Sequence, residues 1–510
     1  MKLERSKNTK KNIIWGMVTR VLSIIIPFSV QTVFIRELGA EYNGLKGIFS
    51  SILQILNLAE LGFGSALVYS MYKPIAEDDK ETVCNLLNLY RKIYKVIGLI
   101  VFLCGLLITP FLSFLIKDSP PDSINIYIVF ILYLLNTTLS YLFFAYKTSL
   151  LYAYQRIDVI NIISLFSILI TSTFQIVELI LTKNFYLYII ILIINTIINN
   201  LCVYIYVSKK YPSIKPYGKV DSSVYNSLKK QIYGLAIGRI CGVTRNSFDN
   251  LFLTAFLGLS ITGMYSNYYY IFSNVIVILS VFTSAMLAGI GNSICCETVE
   301  KNYSDFILLD YIYMLISGWF SLCMLCLYQP FIKIWIGQEF LFDSLVPVLM
   351  TIYFYVVNMG NIRCLYSDAA GLWWENKNRV ILEGIANILL NYFLGKYFGV
   401  YGIIVATCIS IFIFGYGAAA FVLFRKYFEK KNLIKYFMAH ILYFCVTLMI
   451  GCFSFLLCYK IIVFDSAIFD FLIKFLYCAF CIPIMYVIFY FRTKIFKDAS
   501  KWLYYRIIQK

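Results

Sequence analysis

The sequence predicts an all-α polytopic membrane protein, and three observations carry that prediction. About fourteen apolar segments are long enough to cross a bilayer, basic residues gather on one side of the path they define, and one glycine turn recurs part-way along the chain. A spanning helix needs about 20 mostly apolar residues. Such segments fall at 13–35, 45–68, 93–116, 124–146, 159–182, 185–207, 231–257, 264–290, 307–329, 345–366, 380–395, 400–424, 439–459 and 468–490.

Orientation follows from charge. With the amino terminus inside, 32 of the 44 Lys and Arg fall in cytoplasmic segments and 7 in external turns, counting Lys46 at a span edge. One internal loop holds Lys209, Lys210, Lys215, Lys219, Lys229 and Lys230, whereas the external turns are short and nearly uncharged. This positive-inside bias puts both termini in the cytoplasm of a multi-pass cell-membrane protein.

With 510 residues, 61% hydrophobic and 14% charged, the chain is an integral membrane protein rather than a soluble domain with an anchor. The longest internal loop, about 208–230, is too short for a core of its own. The net charge of +17 would suit nucleic acid, but basic loops facing anionic lipid headgroups account for it, so no nucleic-acid partner is expected. None of the 15 cysteines lies in an external turn, which argues for free thiols. Cys295 and Cys296 are adjacent without a second pair at metal-ligand spacing, and no metal or other cofactor is expected. The basic head of MKLERSKNTKKNIIWGMVTR leads into a full-length span with no small-residue cleavage site, the pattern of an uncleaved signal-anchor.

Leu38-Gly39-AEYN-Gly44 is matched by Leu257-Gly258-LSIT-Gly263, an LG-x4-G turn at the outer ends of the first and seventh spans. Six spans separate the copies, and an even number preserves orientation, so the repeats would be parallel. The chain then divides into a six-helix bundle at 1–207, a cytoplasmic linker at 208–230, a second six-helix bundle at 231–424 and an appended helix pair with a tail at 425–510. Two pseudo-symmetric bundles suggest a transporter that alternates access by rocking. Residues 77–95 and 493–510 read as amphipathic segments suited either to the headgroup layer or to solvated loops.

Ionisable residues at membrane depth usually face a wet cavity or pair with one another. On the first span Arg20 shares a face with Gln31, and on the second Gln54, Asn57 and Glu60 form a polar stripe. Arg20 and Glu60 lie at similar depth and could pair. The seventh span is the most polar, with Arg239, Arg245, Asn246 and Asp249; Arg245 and Asp249 are four apart and could neutralise each other. Arg20 and Arg239 sit at matching depths in the two repeats, and their planar forks suit bidentate phosphate binding. The substrate-binding candidates are therefore Arg20, Arg239, Arg245, Asn246, Asn57 and Gln31. Glu60, Asp249 and Glu178 are candidates for ion coupling, with structural interhelical pairing the competing reading. Arg363 and Lys474 read as interfacial anchors, and the single histidine, His440, as interfacial packing. No G-x4-GK[ST] phosphate loop and no H-E-x-x-H metal motif occurs, and no catalytic constellation is evident.

The stretch LGAEYNGLKGIFSSILQILNLAELGFGSALVYSMYKPIAEDDKE at 38–81 resembles the polysaccharide-transporter branch of the multidrug/oligosaccharidyl-lipid/polysaccharide exporter superfamily, the bacterial flippases of O-antigen, capsular or teichoic-type repeat units. NLAELGFGSA at 57–66 is its most specific part, and the similarity extends to NTKKNIIWGMVTRVLSIIIPF and to FGVYGIIVAT at 398–407. The resemblance implies a two-lobed, V-shaped secondary transporter with cationic residues lining a central cavity, moving an undecaprenyl-pyrophosphate-linked oligosaccharide between leaflets. It also implies working partners among polysaccharide polymerases and glycosyltransferases. A multidrug exporter of the same fold is the nearest rival, and it should place unpaired carboxylates in the cleft. A polytopic polymerase or ligase enzyme is a third reading, which the short external turns disfavour.

Overall fold

The computed structural model describes residues 5–60, 63–117, 120–121, 123–220, 247–429 and 431–508, and every regular element among them is helical. In chain order the main helices are α1 (Arg5–Leu38), α2 (Ala40–Leu56), α3 (Phe63–Ala76), α4 (Lys80–Ile108), α5 (Ile126–Leu142), α6 (Tyr146–Ala153), α7 (Ile157–Leu181) and α8 (Phe185–Lys210). They continue with α9 (247–257), α10 (Leu259–Cys296), α11 (Val299–Trp335), α12 (Leu345–Asn358), α13 (Asn361–Ala369) and α14 (Trp373–Ser410). A π-helical segment, Ile411–Ala418, joins α14 to α15 (Ala419–Lys426), and α16 (Leu433–Leu456), α17 (Ala467–Leu476), α18 (Ile482–Tyr490) and α19 (Lys494–Ile508) complete the chain.

Among the described residues nine helices are long and apolar enough to cross a bilayer, or ten if α5 and α6, bent by 51°, form one broken span. Two of the predicted spans lie on the continuous stretch Trp373–Lys426, where Gly399, at φ 58° and ψ −134°, breaks the helix between them. On α7 the exposed side chains Phe166, Ile170 and Phe174 recur at helical spacing, an apolar stripe of the kind that faces hydrocarbon. The protein is a multi-pass membrane protein.

The chain forms two compact units, Met1–Gly263 and Met264–Lys510. In the first, α1 lies along α7, and α8 packs on α5 and α7. The Phe34 ring meets Phe185 at 5.7 Å and Tyr188 at 5.0 Å, and Phe49 meets Phe130 at 5.4 Å, so aromatic rings fill the space between these helices. Side-chain caps fix several helix starts: Asp79 accepts from the Thr82 amide, Asn125 from Tyr127 and Asn184 from Tyr186. The acidic start of segment 77–95 is thus a helix cap. From there α4 runs unbroken to Ile108, so the segment is the beginning of the third span rather than a separate surface helix.

The two LG-x4-G turns are built alike. Gly39 and Gly258 both adopt φ +90°. The Gly39 amide donates to Ile35 and the Gly258 amide to Thr254, while the amides of Asn43 and Thr262 donate back to Gly39 and Gly258. The turns also pack on each other reciprocally: a Cβ on Gly44 would lie 2.2 Å from the Leu259 carbonyl oxygen, and one on Gly263 would lie 1.9 Å from that of Ala40. Only glycine permits backbones to approach so closely. Asn43 reinforces the contact by donating to the Gly263 carbonyl at 2.9 Å.

In the second unit α11 is central and packs against α12, α13, α16 and α17. Two residues read from the sequence as interfacial anchors are buried here instead. Arg363 is 2% exposed and donates to the Gly415 carbonyl at 2.6 Å. Lys474 is buried and paired with Asp470 at 2.7 Å one turn away. The physical reason is that each finds a local acceptor, which removes the need to reach for water. The tail forms α19, and its Trp502 lines a cavity of about 600 Å³ together with Asn292, Glu297, Lys301 and Asp305.

Candidate functional site

The second span is not one continuous helix. It stops at Leu56, passes through a 3-10 turn at Asn57–Glu60 and resumes at Phe63. Within the described residues the break is the turn Asn57–Glu60, which carries part of the polar stripe. It places Asn57 and Glu60 on the same turn. Asn57 is half-buried, and its Oδ1 has no hydrogen-bond partner.

Glu60 Oε1 accepts a hydrogen bond from the Tyr94 hydroxyl, and Tyr90 in turn donates to Tyr94 at 2.8 Å. The Tyr141 hydroxyl is a further neighbour of this carboxylate. Tyr90 and Tyr94 are four apart on α4 with stacked rings, centroids 4.4 Å apart. Gly64 makes room for them: a Cβ there would lie 3.2 Å from the Tyr90 hydroxyl and 3.5 Å from that of Tyr94.

Glu60, Tyr90 and Tyr94 line a cavity of about 760 Å³ within the first unit, walled also by Tyr69, Tyr72, Thr148, Tyr152 and Gln155. Tyr69 and Tyr72 are exposed and meet edge to face at 6.2 Å. A single carboxylate among aromatic faces and hydroxyls can hydrogen-bond sugar hydroxyls, stack on sugar rings or hold a cation.

The other candidates are dispersed. Gln31 is buried beside the first glycine turn, where its Nε2 donates to Asn43 at 2.9 Å and its Oε1 accepts from Lys46 at 2.7 Å. The Lys46 ammonium also lies 4.9 Å from the Phe34 ring centroid. Glu178 closes the turn from α7 to α8, accepting from the Thr182 hydroxyl at 2.6 Å and the Asn184 amide at 3.0 Å, with Oε2 buried and unpartnered. Asp249 is buried near the start of α9. Arg20 lies on α1, but its side chain is outside the described part of the structure, and Arg239, Arg245 and Asn246 lie outside the described residues. The described partners of Glu60 are tyrosines. Sequence reasoning overlooked them, although Tyr90 and Tyr94 at a four-residue spacing, next to a glycine-interrupted polar span, were a usable signal.

No protein-family model matches the sequence, and neither does any curated protein. Solved structures do match in fold. Lipid II flippase MurJ, in an inward closed conformation, superposes with a TM-score of 0.66 at 16% identity, covering 94% of this chain and 98% of its own. An inward-facing multidrug resistance MATE family transporter of the MOP superfamily gives a TM-score of 0.64 at 13% identity, covering 80% of this chain and 97% of its own. A MOP superfamily transporter from Pyrococcus furiosus, described by the reversed polarity of its binding pocket, gives 0.56 at 14% identity over 84% of this chain and 97% of its own. The chain has the fold of these membrane transporters.

Proposed function

We propose that the chain is a flippase that moves undecaprenyl-pyrophosphate-linked oligosaccharide repeat units across the bacterial cytoplasmic membrane for cell-surface polysaccharide synthesis. One observation carries the reading. The match to the lipid II flippase extends over 94% of the chain, whereas that to the inward-facing MATE transporter extends over 80%. The similarity of residues 38–81 to polysaccharide transporters supports the same class. In this reading the bundles 1–207 and 231–424 rock about a shared substrate path, both termini are cytoplasmic, and a polysaccharide polymerase and glycosyltransferases are the working partners.

Arg20 and Arg239 hold the pyrophosphate, assisted by Arg245, Asn246, Asn57 and Gln31. Glu60, with Asp249 and Glu178, serves ion coupling. Arginine suits the first role because its fork binds phosphate through paired hydrogen bonds. Replacing either Arg20 or Arg239 with Ala should abolish flipping of lipid-linked oligosaccharide in liposomes while insertion stays normal, and Lys should rescue only in part. Full activity in the double Ala variant would reject this site.

The tyrosine-walled carboxylate cavity supports a second reading, multidrug export, because organic cations favour such a site. Efflux of a fluorescent organic cation from the same liposomes, with no flipping of lipid-linked sugar, would favour it over the first.

A further inference from the structure

The only histidine of the chain is not interfacial packing. His440 is 2% exposed, and its Nε2 lies 2.8 Å from Oδ2 of Asp310, itself 3% exposed. The pair joins α16 to α11 within the second unit. With Asp310 ionised, a contact of this length requires hydrogen on Nε2, so Nδ1 keeps its lone pair. Nδ1 is buried and has no hydrogen-bond partner. Buried polar atoms are ordinarily satisfied, so an unpartnered acceptor on a titratable ring is informative.

The surroundings are polar for a membrane helix bundle. On its own helix His440 is flanked by the rings of Tyr436 at 4.4 Å and Tyr443 at 5.6 Å. Tyr416, on the π-helical segment, lies 5.1 Å away. Arg363 of α13 acts electrostatically on Tyr416 and Tyr436, and Tyr355 of α12 feels the charge of Asp310. Beyond Tyr443, Tyr311 of α11 and Tyr490 of α18 close the cluster, and their hydroxyls, like Nε of Arg363, are buried without a partner. Asp305 of α11, five residues before Asp310 and part of the wall of the cavity lined by Trp502, acts electrostatically on Tyr366.

From this geometry we propose that the Asp310–His440 pair is a proton-binding site, with Nδ1 of His440 as the atom that takes the proton. The ligand is a proton, which a single imidazole lone pair can bind. Uptake forms the N–H bond at Nδ1 and leaves Nε2–H on Asp310, converting a hydrogen bond from a neutral ring to the carboxylate into an ion pair between α11 and α16. It also adds a positive charge to the cluster that contains Arg363, which is bonded to Gly415 of the π-helical segment at 2.6 Å. Local π-helix often marks functional positions. The site therefore links protonation to the packing of α11, α16 and the π-helical segment. It goes beyond the flippase reading and needs no substrate to be tested.

A chain with one histidine allows a direct experiment. Protein carrying 15N-histidine, purified without a histidine tag and reconstituted in lipid bilayers, should give one imidazole in solid-state NMR. As the pH is lowered from about 8.5 to about 5, Nδ1 should change from an unprotonated to a protonated nitrogen while Nε2 keeps its hydrogen. Asp310→Asn should move that change to lower pH, because the carboxylate favours the charged ring. A ring that holds one state throughout the range, or one whose unprotonated nitrogen is Nε2, overturns the proposal in the native protein without reference to the variant. A titration unaltered by Asp310→Asn in protein that elutes as folded overturns the role of the pair.

Discussion

At the scale of single residues, Glu60 is the proposed coupling residue that lines a described cavity. It is half-buried, held by the Tyr94 hydroxyl and open to a cavity of about 760 Å³. A Glu60→Gln change retains a carbonyl that Tyr94 can still donate to, but removes the charge. Liposomes containing this variant should flip lipid-linked oligosaccharide with a weakened dependence on the imposed ion gradient. Unaltered gradient dependence would leave Glu60 as a structural partner of the tyrosines. Tyr94→Phe tests the same point from the other side: it leaves the carboxylate without that donor, so any coupling defect should resemble that of Glu60→Gln if the hydrogen bond tunes the carboxylate. The removal of one buried hydrogen-bond partner should itself cost about 1–3 kcal/mol.

At the scale of elements, the paired glycine turns fix the close approach of residues 40–44 to residues 259–263. A methyl group on Gly44 or Gly263 would collide with a backbone carbonyl, which cannot rotate away. Each Ala substitution should therefore destabilise by about 1–3 kcal/mol, the usual cost of overpacking, and lower the thermal midpoint of the detergent-solubilised protein. Gly105→Ala is the control, because its Cβ would meet the Leu134 side chain, at 2.4 Å, and a side chain can change rotamer. A larger loss at Gly105 than at Gly44 would contradict the role given to the turn. Gly39→Ala separates strain from sterics: nothing lies within 4 Å of its Cβ position, but its φ of +90° suits glycine alone.

At the scale of the whole molecule, topology is the expectation most open to test. Positive-inside charge places Lys215 and Lys435 on the cytoplasmic side and Ser123 and Gln338 outside. Single cysteines at these four positions, in a background free of native thiols, should divide cleanly in intact cells. Those at 123 and 338 should react with a membrane-impermeant maleimide and those at 215 and 435 should not, and the reverse division would invert the orientation.

What the sequence determined by itself was the class of protein. Apolar runs, basic loops and the LG-x4-G repeat are one-dimensional signals of burial, charge and backbone freedom, and they predicted helices, membrane and the recurring turn before any contact was visible. The identical φ of Gly39 and Gly258 is the structural form of that repeat. Tertiary structure alone decided which polar residues meet. Spacing on one helix put Glu60 on a polar stripe, but which helix would face it depended on packing, and the answer was a pair of tyrosines on α4. Similarly, Asp310 and His440 are 130 residues apart and Arg363 and Gly415 are 52 apart, and His440 and Arg363 each look interfacial in isolation. Periodicity records how far a residue is turned around its own helix. It carries no information about the neighbour, and in a bilayer a buried charge is stable only if the neighbour supplies its partner.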